Sequence, residues 1–379
     1  MLSKTYCSVL WNHQFIDGTG RVKPCCRFKE TEENNLNTAS LEDIFYSSTM
    51  KHRREQSSRG YPIEGCRRCY EEEQNGKKSL RQRYNENTHL GIKDFNNPNI
   101  EWIELAISNE CNLACRMCDS RYSTKWFDEE FKLVGKATPL TKIDIEKIYP
   151  FVPTLKHLKI TGGEPFVTPD HWRLLDYIIE HGYAENIYLN YSTNCTVYPK
   201  TSIVDRLKQF KWVEIALSLD SIIAAETEYL RFPSKHDDVI VTIEKFIALQ
   251  DEINLKLIAR PTVSLLNVYH LPETLEWLAS KGIRFNATHL TFPSHLSVTV
   301  LPKEDKAAVA AKFNSFEFTN DEAKAQCEYI LNYMNSKHDG QDEFLKNTIF
   351  LDKSRNQSFV NTYNYFCILS KQISEMLTS

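Results

Sequence analysis

Three cysteines, Cys111, Cys115 and Cys118, lie close together in the run CNLACRMC. The C-x3-C-x2-C spacing puts three thiolates in one short loop, which suits an iron–sulfur cluster better than a disulfide scaffold. A 4Fe–4S cluster bound only by protein takes four cysteines, so three would leave one iron open to another ligand. The loop therefore predicts a metal centre at which chemistry can take place. Taken alone, the triad would also fit a zinc site or a chance spacing.

The segments around the triad make the prediction more specific. A β-rich run at 101–107 leads into the cysteine loop, and a second apolar run at 155–160 ends in a glycine pair. Paired glycines let the backbone approach a ligand closely, and a ligand amino group needs acceptors such as a main-chain carbonyl or a carboxylate. The residues at this second strand end are Thr161, Gly162, Gly163, Glu164 and Pro165.

The cysteine triad followed by GGEP resembles the signature of the radical S-adenosylmethionine (SAM) superfamily. The resemblance implies that Cys111, Cys115 and Cys118 hold a 4Fe–4S cluster whose fourth iron is chelated by the amino and carboxylate groups of SAM. It implies that the GGEP residues help to bind SAM. It also implies that an electron donor such as flavodoxin or ferredoxin reduces the cluster, and that the reduced cluster cleaves SAM to methionine and a 5′-deoxyadenosyl radical.

Strand and helix patterns alternate through the middle of the chain, which predicts a parallel sheet in an α/β protein. Six such units form a partial (β/α)6, TIM-like barrel, the fold that the resemblance also implies. The loops after the strands build the active site of such barrels, and both motifs follow strands. The candidate strands are 101–107, 155–160, 186–192, 212–219, 253–264 and 284–292, with helical patterns at 170–181 and 268–281.

The third strand ends in Thr193, Asn194 and Cys195, where relatives often have a TNG run. By the resemblance, Thr193 and Asn194 would hydrogen-bond the ribose or the methionyl carboxylate of SAM. Ordinary turn chemistry is the alternative for both. Cys195 departs from the usual glycine, and we interpret it as a buried small hydrophobe or as a thiol donor near the substrate.

The fourth and fifth strands end in further candidates. Ser218 and Asp220 form an S-x-D segment, and Arg231 follows it. By the resemblance, Ser218 and Arg231 would hold the methionyl carboxylate, since a guanidinium binds a carboxylate bidentately. A surface charge on a helix is the alternative for Arg231. Asn267, after the fifth strand, is a candidate polar contact to adenine.

A second set of cysteines lies near the N-terminus, at Cys7, Cys25, Cys26, Cys66 and Cys69. The C-x12-G-x4-C element, with Gly20 as its glycine, followed by C-x2-C resembles the first part of the SPASM/twitch auxiliary-cluster domain. The resemblance implies one auxiliary iron–sulfur cluster on Cys7, Cys25, Cys66 and Cys69, with Cys26 as a spare or alternative ligand. Such domains usually follow the barrel, whereas this one precedes it. A structural zinc on the same four thiolates is the competing interpretation.

Sequence patterns also predict the domain limits. We expect an auxiliary-cluster module at 1–90, a barrel at 97–300 and a helical C-terminal region at 301–379, with a boundary near 90–99. Helical patterns occupy 321–334 and 358–377, and Ser40 is a candidate helix cap. The segment LDKSRNQSF, at 351–359, resembles the tail of some twitch-type relatives. The basic run at 51–54 is interpreted as a solvated helix face.

Composition limits the possible partners and compartment. A net charge of −4 over 379 residues gives no general attraction to nucleic acid or membrane. No apolar stretch is long enough to span a bilayer, and the N-terminus lacks the pattern of a signal peptide. Eleven cysteines, mostly clustered, are typical of metal ligands in a reducing cytoplasm.

The sequence therefore predicts a radical SAM enzyme that abstracts hydrogen from a peptide or small-molecule substrate. The leading hypothesis for the substrate, by resemblance, is a ribosomally made peptide that undergoes oxidation, crosslinking or maturation. A dehydrogenase of a carbohydrate or cyclitol is the alternative enzyme. A non-catalytic metal-cluster sensor or scaffold is the alternative from another class.

Overall fold

The computed structural model describes residues 3–29, 34–74, 78–86, 96–336 and 339–378. The chain divides into two compact units. The first comprises Met1–Asn109, Leu140–Tyr191 and Lys200–Val213, and the second comprises Glu110–Pro139, Ser192–Pro199 and Glu214–Ser379. The predicted module boundary at 90–99 lies partly outside the described residues, and the predicted domain limits stay a prediction.

All six predicted barrel strands are present, preceded by a short hairpin. The strands are β1 His13–Ile16, β2 Val22–Lys23, β3 Trp102–Ala106, β4 His157–Thr161, β5 Tyr188–Thr193, β6 Trp212–Leu217, β7 Leu255–Ala259, β8 Thr262–Val263, β9 Arg284–Phe285 and β10 Thr288–His289.

Helices fill the segments between and after the strands. The α-helices are α1 Val9–Asn12, α2 Leu41–Phe45, α3 Ser48–Arg59, α4 Arg67–Gln74, α5 Leu80–Glu86, α6 Phe127–Val134, α7 Asp170–Glu180, α8 Thr201–Leu207, α9 Ala224–Leu230, α10 His236–Leu249, α11 Leu271–Ser280, α12 Lys303–Ser315, α13 Asp321–Met334, α14 Gln341–Arg355, α15 Phe359–Thr362 and α16 Cys367–Thr378. Short 3-10 helices occupy Glu64–Cys66, Thr124–Trp126, Ile145–Thr154, Ala184–Asn186, Ser294–Leu296 and Val298–Val300.

In the first unit, the N-terminal hairpin extends the parallel sheet. β1 pairs antiparallel with β2 and parallel with β3, and β3, β4 and β5 follow in parallel. Side chains alternate between the two faces of these strands. Tyr191 of β5 contacts His171 of α7 at 5.7 Å between ring centroids, so its face of the sheet packs on that helix. Glu104, Lys159 and Asn190 are register neighbours on the opposite face.

The N-terminal helices show where the sequence patterns succeeded and where they failed. Ser40 caps α2 as predicted, because its side chain accepts a hydrogen bond from the Asp43 N–H. The interpretation of 51–54 as a solvated face is wrong for two of its members. Arg53 lies over the Phe28 ring, and buried Arg54 donates to main-chain carbonyls. Arginine stems and guanidinium groups pack well on aromatic rings, which a charge pattern does not reveal.

In the second unit, two predicted strands are each divided in two. β7 pairs parallel with β9, whereas β8 pairs parallel with β10 in a separate two-stranded sheet. Pro261 lies between β7 and β8 and has no N–H to donate to a ladder, which explains why the first pairing ends there. The C-terminal region is helical as predicted, and α13 matches its predicted range. The predicted helix at 358–377 is interrupted by a turn between α15 and α16.

The α/β fold class with parallel strands, an N-terminal cysteine-rich module and a C-terminal helical region is therefore confirmed. Within the described ranges, no helix has both the length and the apolar character needed to cross a bilayer.

Candidate active site and metal centres

The cysteine triad forms a loop that follows β3 within a few residues, as predicted. Two main-chain hydrogen bonds fix the loop to the last residue of α9 and the segment after it: the Arg116 N–H donates to the Leu230 carbonyl at 2.7 Å, and the Ala114 N–H donates to the Phe232 carbonyl at 2.6 Å. The loop then folds on itself through the Cys118 N–H and the Cys115 carbonyl at 2.9 Å. None of the eleven cysteines forms a disulfide bond.

The three thiols of the loop interact with one another and with nearby donors. Burial, and then the neighbouring Cys115 and Cys111, raise the pKa of the Cys118 thiol well above its usual range. The guanidinium of Arg231 lies 3.8 Å from the Cys115 sulfur, and the Asn194 side-chain amide lies 3.9 Å from the Cys111 sulfur. A cation and an amide N–H directed at the sulfurs suit thiolates that carry negative charge, so the donor set fits an iron–sulfur cluster.

Arg231 is held by the other charged member of the predicted set. Asp220 accepts from the Arg231 Nε at 2.8 Å with one oxygen and from the Thr262 N–H at 2.8 Å with the other. Asp220 is 2% exposed and Arg231 9%, so the interpretation of Arg231 as a surface charge is wrong. The structure brings Asp220, Arg231 and Cys115 together, which the spacing of these residues along the chain does not reveal.

Asn194 ties the end of β5 to the cysteine loop. Its side-chain amide donates to Asn112 Oδ1 at 2.9 Å, and its carbonyl oxygen accepts from the Thr196 N–H at 2.9 Å. Asn112 also donates to the Thr196 hydroxyl at 2.8 Å. Asn112 was not predicted, since an asparagine beside a cysteine carries no distinctive signal in sequence.

The position of the missing family glycine is occupied by Cys195 in a left-handed conformation. Its φ is +63°, its side chain is fully buried, and its thiol donates to the Thr193 carbonyl at 3.6 Å. The Thr193 hydroxyl in turn accepts from the Cys195 N–H at 3.1 Å. Thr193 therefore makes an ordinary turn hydrogen bond, and Cys195 is a buried residue, at this strand end.

Ser218 and Asn267 lie at the next two strand ends. The Ser218 N–H donates to the Thr193 carbonyl at 2.9 Å, which places the S-x-D segment beside the end of β5. Asn267 is fully buried; its amide donates to the Asp220 and Thr262 carbonyls, and its oxygen accepts from the Ser264 N–H at 2.7 Å. Asn267 therefore organises the loop that supports Asp220.

The GGEP turn packs against the residues that lead into the cysteine loop. The Gly163 N–H donates to the Ser108 carbonyl at 2.8 Å. Gly162 has a φ of +124°, and a Cβ at this position would come within 2.5 Å of the same carbonyl oxygen. Only glycine fits there. Glu164 and Pro165 are buried, and the Glu164 carboxylate accepts from the Phe166 N–H at 3.1 Å.

The predicted auxiliary ligands share one cavity in the first unit. Its wall contains four cysteines and three arginines: Cys7, Cys25, Cys66, Cys69, Arg27, Arg68 and Arg81. Burial, and then Cys69, raise the pKa of the Cys66 thiol to about 12. Four thiolates around a cluster carry net negative charge, and arginines in the wall suit an iron–sulfur group bound there, with Arg27 and Arg81 each also ion-paired to a carboxylate, Glu72 and Glu73. Nowhere in the described ranges are three His, Cys, Asp or Glu side chains spaced for a single metal ion.

Cys26 has different neighbours from Cys25. Its thiol interacts with Glu104 and with Lys159, the ion pair on the face of the sheet opposite α7. Cys25 packs instead against the core of the N-terminal module together with Cys66. The hairpin thus directs two consecutive thiols to different surroundings, a distinction that the sequence left open.

The module glycine has a local role in this hairpin. Gly20 has a φ of +84°, and its N–H donates to the Asp17 carbonyl at 2.9 Å. A Cβ on Gly20 would lie 2.8 Å from Asn35 Oδ1. The turn between β1 and β2 that positions Cys25 therefore requires glycine.

Comparison with protein-family models gives two matches. Residues 105–255 match the radical SAM superfamily, and residues 7–70 match SPASM, an iron–sulfur cluster-binding domain. The predicted cofactors belong to these domains: SAM and a 4Fe–4S cluster to the first, and an additional iron–sulfur cluster to the second.

Curated relatives and solved structures give more distant similarity. GTP 3′,8-cyclase of Syntrophomonas wolfei is 28% identical over 36% of this chain, and mycofactocin maturase MftC of Mycobacterium tuberculosis is 27% identical over 36%. The chain spans only 39% and 32% of the lengths of these two relatives. Among solved structures, anSMEcpe with bound AdoMet has a TM-score of 0.41 at 16% identity, covering 56% of this chain and 59% of that one. SuiB of Streptococcus suis has a TM-score of 0.38 at 14% identity, covering 88% of this chain and 69% of that one.

The two family matches agree with the residues that the site brings together. The cysteine triad, the GGEP turn and the S-x-D segment fall within the radical SAM match, and the four cysteines of the N-terminal cavity fall within the SPASM match. Residues 105–255 of the chain thus match the radical SAM superfamily, and the SPASM match at 7–70 precedes them at the N-terminus.

Proposed function

We propose that this protein is a radical SAM enzyme in which Cys111, Cys115 and Cys118 bind the catalytic cluster. The observation that carries the proposal is the loop itself: three mutually interacting thiols that form no disulfide, with Arg231 and Asn194 directed at two of the sulfurs. A 4Fe–4S cluster bound there supplies, when reduced, the electron that cleaves SAM to methionine and a 5′-deoxyadenosyl radical, which then abstracts hydrogen from the substrate.

The residues of the cysteine loop and of the strand ends would bind the cluster and SAM and hold them in place. Arg231 neutralises the Cys115 thiolate and is itself fixed by Asp220, which is 1% exposed at its side chain. We assign the remaining family positions, Gly162 to Pro165, Thr193, Asn194, Ser218 and Asn267, to SAM binding either directly or by supporting the loops. The close approach at Gly162 supports this assignment, because it fixes the turn against the start of the cysteine loop.

We assign Cys7, Cys25, Cys66 and Cys69 to the auxiliary iron–sulfur cluster. Their shared cavity supports the assignment. Cys25 lines this cavity, whereas the Cys26 thiol interacts with Glu104, which argues for Cys25 as the ligand. Four cysteine ligands leave no iron open, so this group would serve electron transfer and the shaping of the substrate pocket. Zinc on the same thiolates is the competing occupant.

We propose a ribosomally made peptide as the substrate class. The family resemblance of the N-terminal module and the presence of a maturase among the relatives support this choice. A carbohydrate or cyclitol dehydrogenase is the second candidate. Mass spectrometry of candidate substrates after co-expression separates the two hypotheses. A change in the mass of the peptide supports the first, and the loss of two hydrogens from a sugar or cyclitol supports the second.

The first test is SAM cleavage by the anaerobically reconstituted full chain with dithionite as reductant. We expect 5′-deoxyadenosine from the wild type and none from Cys115→Ala. Cys367→Ala is the matched control, because Cys367 is exposed and lies outside both cysteine sets; it should retain wild-type product. Absence of 5′-deoxyadenosine from the iron-loaded wild type would exclude the proposal and favour a non-catalytic sensor or scaffold.

A further inference from the structure

Arg116 directly follows the second cysteine of the triad. Its side chain is 2% exposed and donates to Asp352 Oδ1 at 2.5 Å and to Gln357 Oε1 at 3.0 Å. Its Nε donates to the Tyr229 carbonyl, and its guanidinium carbon lies 3.6 Å from the centroid of the Tyr229 ring. These contacts fix the guanidinium group of Arg116, and two of its acceptors, Asp352 and Gln357, belong to the C-terminal region.

The carboxylate of Asp352 is itself fixed from several sides. One oxygen accepts from the Tyr229 hydroxyl at 2.7 Å, and the other accepts from the Phe359 N–H at 2.6 Å. Gln357 donates to the Glu228 carbonyl at 3.0 Å. The end of α14 and the turn after it therefore present two anchored acceptors to a residue of the cysteine loop.

The other side of the loop is supported from the same helix. The indole N–H of Trp126 donates to the Cys115 carbonyl at 2.8 Å. The guanidinium of Arg355 lies 4.8 Å from the Trp126 ring centroid and is ion-paired with Glu129 at 2.6 Å, with its own side chain fully buried. Asp352 and Arg355 lie one helical turn apart. Asp352 holds Arg116, the residue after Cys115, and Arg355 packs on Trp126, which donates to the Cys115 carbonyl.

We propose that Asp352, Arg355 and Gln357 form a C-terminal clamp that positions the cysteine loop for cluster and SAM binding. They are positioning residues, since they act through Arg116 and Trp126 and touch no cysteine sulfur in the contacts described. Groups that orient metal ligands typically change metal affinity or activity about 10- to 100-fold when removed. The clamp gives a function to the segment LDKSRNQSF, in which the side chains of Asp352, Arg355 and Gln357 contact the cysteine loop or the residues that support it.

The proposal rests on the proposed radical SAM function, and its test is designed to fail separately from it. Asp352→Asn removes the charge opposite Arg116 with little change in size. Asp176→Asn is the matched control, because it breaks an ion pair with Arg206 that belongs to the first unit, whereas the cysteine loop belongs to the second. Both full-length proteins are reconstituted anaerobically. We measure iron loss to a chelator and the change that SAM produces in the electron paramagnetic resonance spectrum of the dithionite-reduced cluster.

For Asp352→Asn we expect iron loss about 10- to 100-fold faster than in the wild type and an altered or lost SAM-induced spectral change. Asp176→Asn should match the wild type in both. If Asp352→Asn is indistinguishable from that control, the clamp is excluded. If Asp352→Asn does not fold, Gln357→Ala carries the same expectation in direction and the same contradicting outcome, since it removes only a neutral hydrogen bond.

If the wild type binds iron but SAM does not change its electron paramagnetic resonance spectrum, the proposed function is excluded. The clamp is then tested by a second measurement. That measurement is the rate of alkylation of Cys115 and Cys118 in the metal-free chain, followed by mass spectrometry. The clamp predicts faster alkylation in Asp352→Asn than in Asp176→Asn. Equal rates would contradict it.

Discussion

At the scale of single residues, Gly162 shows how one missing Cβ fixes the approach of two loops. Its φ is +124°, and a Cβ added to it would lie 2.5 Å from the Ser108 carbonyl oxygen, which leaves no room for alanine. We expect Gly162→Ala to lower the free energy of unfolding of the metal-free protein by more than about 3 kcal/mol, through backbone strain and a main-chain clash. Urea denaturation measures the difference.

Gly182→Ala is the control for this prediction. Gly182 also has a positive φ, of +74°, but a Cβ there would meet nothing within 4 Å. The conformational cost alone should be about 1 kcal/mol. Equal destabilisation by the two substitutions would show that the contact with Ser108 contributes nothing.

His171 predicts a loss of stability on acidification. Burial lowers its pKa to about 3, against small opposing effects of the Thr168 carbonyl and Asp170, while Arg206 lowers it further. The folded protein therefore keeps the ring neutral, whereas the unfolded chain binds a proton as the pH falls below about 6.5. Stability is complete above that pH and falls as the pH moves from 6.5 towards 3. From pH 7 to 5 the loss from this group is up to about 2 kcal/mol.

Urea midpoints of the metal-free chain at pH 7 and pH 5 test this expectation. His171→Gln should reduce the difference between the two midpoints, because the titrating group is gone. His181→Gln, at the exposed end of α7, should leave the difference unchanged. A wild-type profile that is flat between the two pH values would contradict the prediction.

At the scale of elements, strand identity followed from sequence, but strand limits did not. All six predicted barrel strands exist, since apolar runs alternating with amphipathic helices favour one local conformation. The runs at 253–264 and 284–292 each contain two strands, because ladder partners, not local pattern, decide where pairing stops. The same limit applies to 358–377, where apolar spacing continued through the turn that separates α15 from α16.

The helix α3 shows why charge patterns mislead at this scale. Arg53 and Arg54 lie in a basic run, yet both are buried among aromatic rings and carbonyls. Cys367 shows the converse, because it lies in a helix with apolar neighbours in sequence and is nevertheless exposed. Which face of a helix is covered depends on neighbours distant in sequence.

At the scale of the whole molecule, metal content tests the assignment of two centres. The proposed ligand sets predict that Cys25→Ala loses the auxiliary iron, about four atoms per chain for a 4Fe–4S cluster, and keeps the SAM-binding cluster. Cys26→Ala should keep the iron of both centres, because its thiol interacts with Glu104 and lies outside the cavity that holds the other four cysteines. Metal analysis of reconstituted protein measures both.

Two outcomes would contradict this assignment. Equal iron loss in Cys25→Ala and Cys26→Ala would mean that the hairpin does not separate the two thiols functionally. Zinc in place of the additional iron in wild-type protein would replace the auxiliary cluster by a structural metal.

The sequence by itself determined the chemistry: the triad, GGEP and the N-terminal cysteine spacing are short, contiguous patterns, and a loop of fixed length holds its own ligands close. The N-terminal cysteines are the exception, since Cys7 to Cys69 span most of a module and were recognised by their spacing rather than as one loop. The sequence also determined the α/β class, because strand and helix periodicities are local. Only the tertiary structure decided that Arg231 lies against Cys115, that Cys25 and Cys26 have different neighbours, and that Asp352 holds Arg116. These contacts join residues up to 236 positions apart, and packing alone brings such residues together.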